Sequence, residues 1–166
     1  LPAAWTLEHH LPCAQLLAPE NLHCMPQPKE EITLLGPTDK EDMFQLINSI
    51  QPGYYHPETW QTGDYCGIRK TGRLVAMAGE RMRMTGFNEL SAICTHPEFT
   101  GRGYAQQLIS WLCRRQAAKG ITPFLHVSLA NQKALRLYIH LGFRHRREIS
   151  FHRLRKSLTF PAQPIS

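Results

Sequence analysis

Two glycines and an arginine stand directly before a helical pattern in the middle of the chain. The stretch THPEFTGRGYAQQL, residues 95–108, places Gly101-Arg102-Gly103 just ahead of periodic apolar residues. The first turn of a helix carries unpaired N–H groups and the positive end of the helix dipole, and glycines let an anion approach both. Arg102 adds a positive charge at the same place. The segment therefore fits a phosphate or pyrophosphate, or else a tight turn whose glycines serve packing alone.

This glycine pair differs from the common nucleotide-binding loops. A Walker loop ends in Gly-Lys-Ser/Thr and a dinucleotide fingerprint reads Gly-x-Gly-x-x-Gly, and the stretch matches neither pattern. The five cysteines and nine histidines show no spacing typical of metal sites, so no bound metal is expected. An odd number of cysteines scattered along the chain is typical of a protein whose thiols are reduced. This favours a cytoplasmic location.

Composition and charge limit the classes of function. The chain has 166 residues, of which 42% are apolar and 19% charged, and this is typical of one globular domain. Nineteen basic against thirteen acidic residues give a net charge of +6, which favours an anionic partner. No apolar run could span a membrane, and the start lacks a signal-peptide pattern. Nucleic acid is disfavoured because no basic helix or stacking-aromatic motif accompanies the charge.

Hydrophobic periodicity predicts the elements that must position these residues. Helices are expected before Pro52, over 104–119 and over 131–141, and strands over 32–35, 65–69, 74–84, 89–95, 124–129 and 144–155, the last as one strand or two. This order predicts a mixed α/β domain over 31–156, built on one mostly antiparallel twisted sheet flanked by helices. Residues 1–30 are expected to form an arm with a short helix near 13–17. The arm would complete the sheet, cover the site or pair with another chain, and residues 157–166 would form a tail.

Two motifs in this order resemble the GCN5-related N-acetyltransferase (GNAT) superfamily. HPEFTGRGYA opens one helix, NQKALRLYIHLGF forms the next, and a buried strand lies between them. LVAMAGERM and LSAICTHPEF resemble its FR47-like branch, and the resemblance covers residues 64–151 well and 32–53 loosely. It implies splayed strands that bind acetyl-CoA (coenzyme A) and direct acetyl transfer to a primary amine of a small molecule, an amino acid or a protein. A non-catalytic acyl-CoA-binding module is the alternative, and a homodimer is left open.

The resemblance also assigns cofactor contacts. The glycine-rich loop is expected to hold the pyrophosphate of acetyl-CoA, and the preceding strand to pair with the pantetheine amides. Asn131 and Tyr138 are expected beside the pantetheine arm and the sulfur. One position departs from the family, whose loop usually begins with Gln or Arg where this chain has Thr100. The contacts implied are Ile93, Cys94, Thr95, Thr100, Gly101, Arg102, Gly103, Tyr104, Ala105, Asn131 and Tyr138.

Acetyl transfer to an amine needs a base, a donor to the carbonyl oxygen and a proton donor to the departing thiolate. By resemblance, the backbone N–H of Ile93 is the candidate oxygen donor and the phenol of Tyr138 the candidate acid. A boundary tyrosine on an amphipathic helix and a helix-capping Asn131 are the structural alternatives. Glu89 and Glu80 are rival bases, and either is equally compatible with an ordinary ion-paired carboxylate.

Four other features have weaker assignments. His126, inside a buried strand, is a third candidate base, and Cys94 is interpreted as a small buried residue rather than a nucleophile. The loop PGYYHPETW, residues 52–60, is the expected acceptor-recognition segment because its aromatic side chains can line a pocket. The basic segment 144–156 would meet the 3′-phosphate of CoA, an acidic substrate or nucleic acid, unless it is a solvated strand face.

Overall fold

The computed structural model describes residues 5–156, so the predicted tail over 157–166 lies outside the described residues. The described residues form one sheet of seven strands and three α-helices. In chain order these are β1 (Trp5–Leu17), β2 (Thr33–Leu35), α1 (Lys40–Ile50), β3 (Tyr65–Lys70), β4 (Arg73–Met84), β5 (Phe87–Thr95), α2 (Tyr104–Ala117), β6 (Thr122–Ser128), α3 (Gln132–His140) and β7 (Arg144–Lys156).

The strands lie in the order β2-β3-β4-β5-β6-β1-β7. All neighbouring pairs are antiparallel except β5 and β6, which are parallel. The predicted mixed α/β fold with a mostly antiparallel sheet is therefore confirmed. The segment 144–155, predicted as one or two strands, forms one. No helix among residues 5–156 has both the length and the apolar character needed to cross a bilayer.

Strand β1 lies inside the sheet, between β6 and β7. Its residues Cys13–Leu17 pair with β6, and the strand pairs along its length with β7. The short helix predicted near 13–17 is therefore wrong. Residues 13–16 are all buried, and a strand covered on both faces loses the alternation that identifies strands in a sequence. Of the three roles left open for the arm, the structure shows that β1 completes the sheet.

Helices α1 and α2 cover opposite faces of the sheet. Met43 and Ile47 of α1 pack in a cluster with Leu74 of β4. Leu108 of α2 packs in a second cluster with Val75, the next residue along β4. Neighbouring residues of a strand point to opposite faces, so the two clusters lie on the two sides of the sheet. Residues of α3 join the α2 cluster.

Strands β5 and β6 separate half-way along β5. Their pairing runs from Phe87 opposite Thr122 to Leu90 opposite Leu125, after which β6 continues beside β1. Strand β5 also contains one residue more than β4 between two paired positions, and Ala92 in this bulge has a φ of +51°. Bulges bend a strand and raise its twist. A gap therefore opens at the carboxyl ends of two parallel strands, where open α/β sheets commonly bind ligands.

Candidate active site

A cavity of about 500 Å³ occupies the gap between β5 and β6. The bulged segment of β5, including Ala92 and Ile93, forms part of its wall. On the side of α3 the lining residues are Asn131, Ala134 and Tyr138, and on the side of α1 they include Tyr54, Arg81 and Glu89. The cavity therefore opens toward both faces of the sheet. Two reactants can approach each other there from opposite sides.

Glu89 is held in the cavity by an arginine and a histidine. Its side chain is 2% exposed. Arg81 donates to both carboxylate oxygens, with Nε at 2.9 Å from Oε2 and a terminal nitrogen at 2.6 Å from Oε1. Nδ1 of His126 lies 2.7 Å from Oε1. The planar guanidinium suits this bidentate contact and fixes the carboxylate in one orientation.

The tautomer of His126 follows from its other neighbours. Arg146 is a donor only, and it lies 2.5 Å from Oε1 of Gln15, so that oxygen is the acceptor. The amide nitrogen of Gln15 then faces Nε2 of His126 at 3.0 Å and donates to it. In this arrangement Nε2 of His126 accepts from Gln15, and Nδ1–H of His126 donates to Glu89. Glu89 carries the negative charge of the pair.

The surroundings of Glu89 keep it ionised. Burial by itself would raise the pKa of this carboxyl group, but the hydrogen bonds from His126 and Arg81 outweigh it and lower the pKa. Asp64, on the loop before β3, is similar: burial would raise its pKa, and the contacts with Arg115 and Lys119 lower it. Both carboxylates thus bind protons more weakly in the folded protein than in the unfolded chain.

We expect the free energy of unfolding to decrease in acid. A carboxyl group with a lowered folded-state pKa stabilises the fold above its unfolded pKa, and this contribution is lost as the pH falls through the folded value. For Glu89 the loss begins near the usual value of 4.5 and continues below it. Urea unfolding between about pH 6 and pH 3 measures the effect. Glu89→Gln should show a shallower decrease than the wild type, and equal slopes would contradict the assignment.

Glu80 lies on the opposite face of the sheet from Glu89. It is 1% exposed and accepts hydrogen bonds from Gln116 of α2 at 2.9 Å and from Nε of Arg83 at 2.9 Å. The next residue, Arg81, points the other way, toward Glu89. Glu80 is not among the described residues that line the cavity. Of the two rival bases, the structure brings only Glu89 to the cavity.

Tyr138 and Asn131 lie on the α3 side of the cavity. Tyr138 is 8% exposed, and its ring packs against Phe143 at a centroid distance of 5.8 Å. Burial, with a smaller effect of Tyr54, raises the pKa of the phenol well above its usual range, so the group is protonated at neutral pH. Asn131 accepts a hydrogen bond from the backbone N–H of Ala134 at 3.1 Å. It therefore caps α3 as well as lining the cavity.

The bulge in β5 places backbone groups at the cavity wall. Ile93 follows the left-handed Ala92, and the extra residue of a bulge leaves backbone groups outside the ladder. Cys94 and Thr95 pair with β4 and are not among the lining residues. Burial raises the pKa of the Cys94 thiol to about 12, so the thiol stays protonated at neutral pH. This agrees with its interpretation as a buried residue and not a nucleophile.

The glycine-rich loop lies between β5 and α2, outside the cavity lining. Gly101 and Gly103 have φ values of +78° and +75°, in the left-handed region that favours glycine. A side chain at position 101 would meet no atom within 4 Å, so the backbone there is open to a ligand. Arg102 stacks on the ring of Phe99 at 4.9 Å, and the hydroxyl of Thr100 donates to the carbonyl of Pro97 at 2.9 Å.

The N-terminus of α2 is the least neutralised of the three helix starts in residues 5–156. The first turn of α1 contains acidic residues, and α3 has the Asn131 cap. Gly103 supplies no side-chain cap to α2, whose first turn also lacks acidic residues. The N–H groups of residues 104–106 therefore remain for an anion, whereas that of Gln107 donates to the carbonyl of Gly103. The phosphate interpretation of Gly101-Arg102-Gly103 stays a prediction.

Comparison with known proteins agrees with this geometry. The model of the FR47-like protein family matches residues 65–152, more than half of the chain. A GNAT-family protein from Novosphingobium aromaticivorans is 39% identical and aligns with a TM-score of 0.86 over 94% of this chain and 69% of its own. The chain belongs to the FR47-like branch of the GNAT superfamily.

Other GNAT structures share the fold at lower identity. An acetyltransferase from Colwellia psychrerythraea is 17% identical with a TM-score of 0.69, and the alignment covers 90% of this chain and 57% of that one. AAC(6')-Iy, solved with the bisubstrate analogue CoA-S-monomethyl-acetylneamine, is 22% identical with a TM-score of 0.63, and the alignment covers 74% and 96%. No curated protein matches the sequence at a significant level.

Two residues of the hydrogen-bond network around Glu89 are not predicted from the sequence. The sequence predicts no strand at Gln15, and it gives no signal that pairs Arg81 with Glu89. Counting outward from the Thr85-Gly86 turn pairs Met82 with Glu89, and only the bulge between Glu80 and Arg83 brings Arg81 to the face of Glu89. Tyr54 lies in the predicted acceptor loop, and its hydroxyl is 3.2 Å from that of Ser91.

Proposed function

We propose that this GNAT domain is an acetyl-CoA-dependent N-acetyltransferase that acts on a primary amine by direct attack. One observation carries the proposal: a single cavity between diverging strands is lined by a charged carboxylate, Glu89, by the bulged backbone at Ile93 and by a protonated phenol, Tyr138. These are the base, the oxygen donor and the acid that acetyl transfer to an amine requires.

Acetyl-CoA fits the residues on the α3 side. The uncapped start of α2, with Gly101, Arg102 and Gly103, would hold the pyrophosphate, assisted by Thr100, Tyr104 and Ala105. The free edge of β5 over Ile93, Cys94 and Thr95 would pair with the pantetheine amides, and Asn131 and Tyr138 would contact the arm near the sulfur. When bound, the thioester supplies an activated acetyl group. The CoA analogue in AAC(6')-Iy supports this choice of cofactor.

Replacing Gly101 by alanine tests the phosphate site. We expect the affinity for CoA to fall about tenfold, because a Cβ would occupy the approach to the loop. Gly86→Ala is a matched control: Gly86 has a φ of +76°, and a Cβ there also meets nothing within 4 Å. Both variants should lose roughly 1 kcal/mol of stability from the left-handed backbone. Calorimetric titration with CoA measures the affinity, and equal affinities in the two variants would contradict the assignment.

The acceptor amine would enter from the α1 side. The amine would attack from the Glu89 side, and Glu89 would take, through a water molecule, the one proton that the nitrogen loses as the C–N bond forms and the C–S bond of the thioester breaks. The N–H of Ile93 would donate to the carbonyl oxygen as it gains charge. Tyr138 would donate its proton to the departing thiolate. His126 and Gln15 act as positioning residues, because they touch Glu89 directly or through one another.

Thiol release from acetyl-CoA, measured against a broad panel of amines, tests the proposed function. We expect turnover with one class of amine and a product heavier by one acetyl group. A non-catalytic acyl-CoA-binding module is the competing proposal, and the chemistry present at the cavity argues against it. No release with any amine, together with a CoA-induced rise in melting temperature, would favour the module.

A further inference from the structure

The α1 side of the cavity contains a cation that no carboxylate neutralises. Glu89 is the one carboxylate among the described residues that line the cavity, and Arg81 balances its charge. Arg153 of β7 also lines the cavity. The neighbouring carboxylate on β1, Glu8, pairs with Arg155 instead. No ion pair formed within residues 5–156 involves Arg153.

A two-stranded ribbon carries Arg153 into this position. On the N-terminal side of Cys13, β1 pairs only with β7. Residues 5–12 and 150–156 therefore project past the end of β6. Glu8 is an extra residue in β1, and this bulge sets His9 opposite Arg153. His9, Leu11, Phe151 and Arg153 all line the cavity. The ribbon is thus a wall of the site.

The position of Phe151 shows which half of the cavity this wall faces. Its ring lies 5.4 Å from the guanidinium of Arg81 and 5.0 Å from the ring of His126. Both of those residues contact Glu89. Arg153 lies two residues further along the same strand and therefore on the same face, about 7 Å nearer the end of the ribbon. It belongs to the acceptor half and not to the cofactor half.

We propose that the acceptor is a small primary amine that bears one carboxylate, as an amino acid does, and that Arg153 binds this carboxylate. The inference rests on the proposed acetyltransferase function. With histidines counted as neutral, the acceptor half has a net charge of one positive unit, which one carboxylate balances. The guanidinium fork matches a carboxylate in geometry. A polyamine would place further positive charge beside Arg81 and Arg153, which is unfavourable.

Matched pairs of acceptors test the proposal. Each amino acid is compared with its carboxamide at the same pH, using thiol release from acetyl-CoA. The amide keeps the amine and the side chain but loses the negative charge. We expect kcat/KM to be about ten- to a hundredfold higher for the acid, because a charged hydrogen-bond pair is lost with the amide. The amine of the amide is less basic, so a larger fraction of it is unprotonated and able to attack at the same pH. This difference favours the amide and so works against the expected preference for the acid.

Two arginine variants complete the test. Arg153→Gln should remove the preference by lowering kcat/KM for the acid alone, chiefly through KM, with CoA affinity unchanged. Arg147→Gln, an exposed residue of the same strand outside the cavity lining, should leave the preference intact. Calorimetric titration of the amino acid into the CoA-saturated protein measures its affinity without turnover. This affinity should fall in Arg153→Gln and stay at the wild-type value in Arg147→Gln.

The outcomes separate this inference from the proposed function. Equal use of acid and amide by the wild type, a preference for polyamines, or an equal loss for both acceptors in Arg153→Gln would overturn the carboxylate assignment and leave an acetyltransferase. Thiol release with no amine at all, while CoA still raises the melting temperature, would overturn the acetyltransferase proposal and this inference with it.

Discussion

Glu89→Gln is expected to lower kcat/KM for the amine by about 100- to 10,000-fold while leaving CoA binding unchanged. Glutamine keeps the shape of the side chain but cannot accept the proton that the attacking amine must lose. The carboxylate lies in the cavity wall, whereas the proposed pyrophosphate site is at the start of α2, outside the cavity lining. Steady-state thiol release gives the rate constants, and calorimetry with CoA gives the affinity.

Glu80→Gln is the matched control for this variant. Both side chains are buried, 1% exposed in Glu80 and 2% in Glu89, and both are paired with an arginine. Both substitutions should therefore lower the melting temperature, because each weakens a buried charged network. Only Glu89→Gln should lose activity once the rates are corrected for the folded fraction. A similar loss of activity in the two variants would show that burial of charge, and not position in the cavity, explains the defect.

Tyr138→Phe is expected to lower kcat by at least about 100-fold. This factor is the lower limit of the contribution that general acid catalysis usually makes. Phenylalanine keeps the packing against Phe143, so the fold and the affinity for CoA should be retained. The defect should shrink when the acetyl donor is a thioester with a more acidic thiol, because such a leaving group needs no proton. Single-turnover rates with a series of acetyl thioesters measure this dependence.

Tyr55→Phe provides the comparison for Tyr138→Phe. Tyr55 is 2% exposed, and its ring packs edge-on against that of Tyr65 at a centroid distance of 6.0 Å. It does not line the cavity. Loss of this phenol should leave the rate and its dependence on the leaving group as in the wild type. If the Tyr138→Phe defect is the same for every thioester, Tyr138 has a structural role instead.

The parts of the fold that local pattern determines could be predicted from the sequence. Helix α2 has apolar residues at helical spacing and a glycine just beyond its end, and the β3–β4 hairpin has its turn at Thr71-Gly72. Strand β1 could not be predicted in this way. It is buried on both faces, which removes alternation, and its partners β6 and β7 lie at the far end of the chain.

The candidate site was predictable to a similar degree. The residues on the α3 side were predicted from the two sequence motifs that resemble the GNAT superfamily. Asn131, Tyr138 and Ile93 do line one cavity. The choice between Glu80 and Glu89 depends on which face each residue occupies, and the bulges in the β4–β5 hairpin prevent that from being counted along the strands. The role proposed for Arg153 depends on the bulge at Glu8, which only the pairing with β7 reveals.

The position of β1 between β6 and β7 has a consequence for how the molecule folds. Strands β3 to β6 and helix α2 form contacts between segments close in sequence, whereas the ribbon joins Trp5 to Lys156, the first and last described residues. Contacts of such high sequence separation carry a large entropic cost of loop closure and form late. The cofactor half can therefore assemble before the ribbon closes beside it. The wall proposed to bind the carboxylate of the acceptor would then be the last part of the site to form.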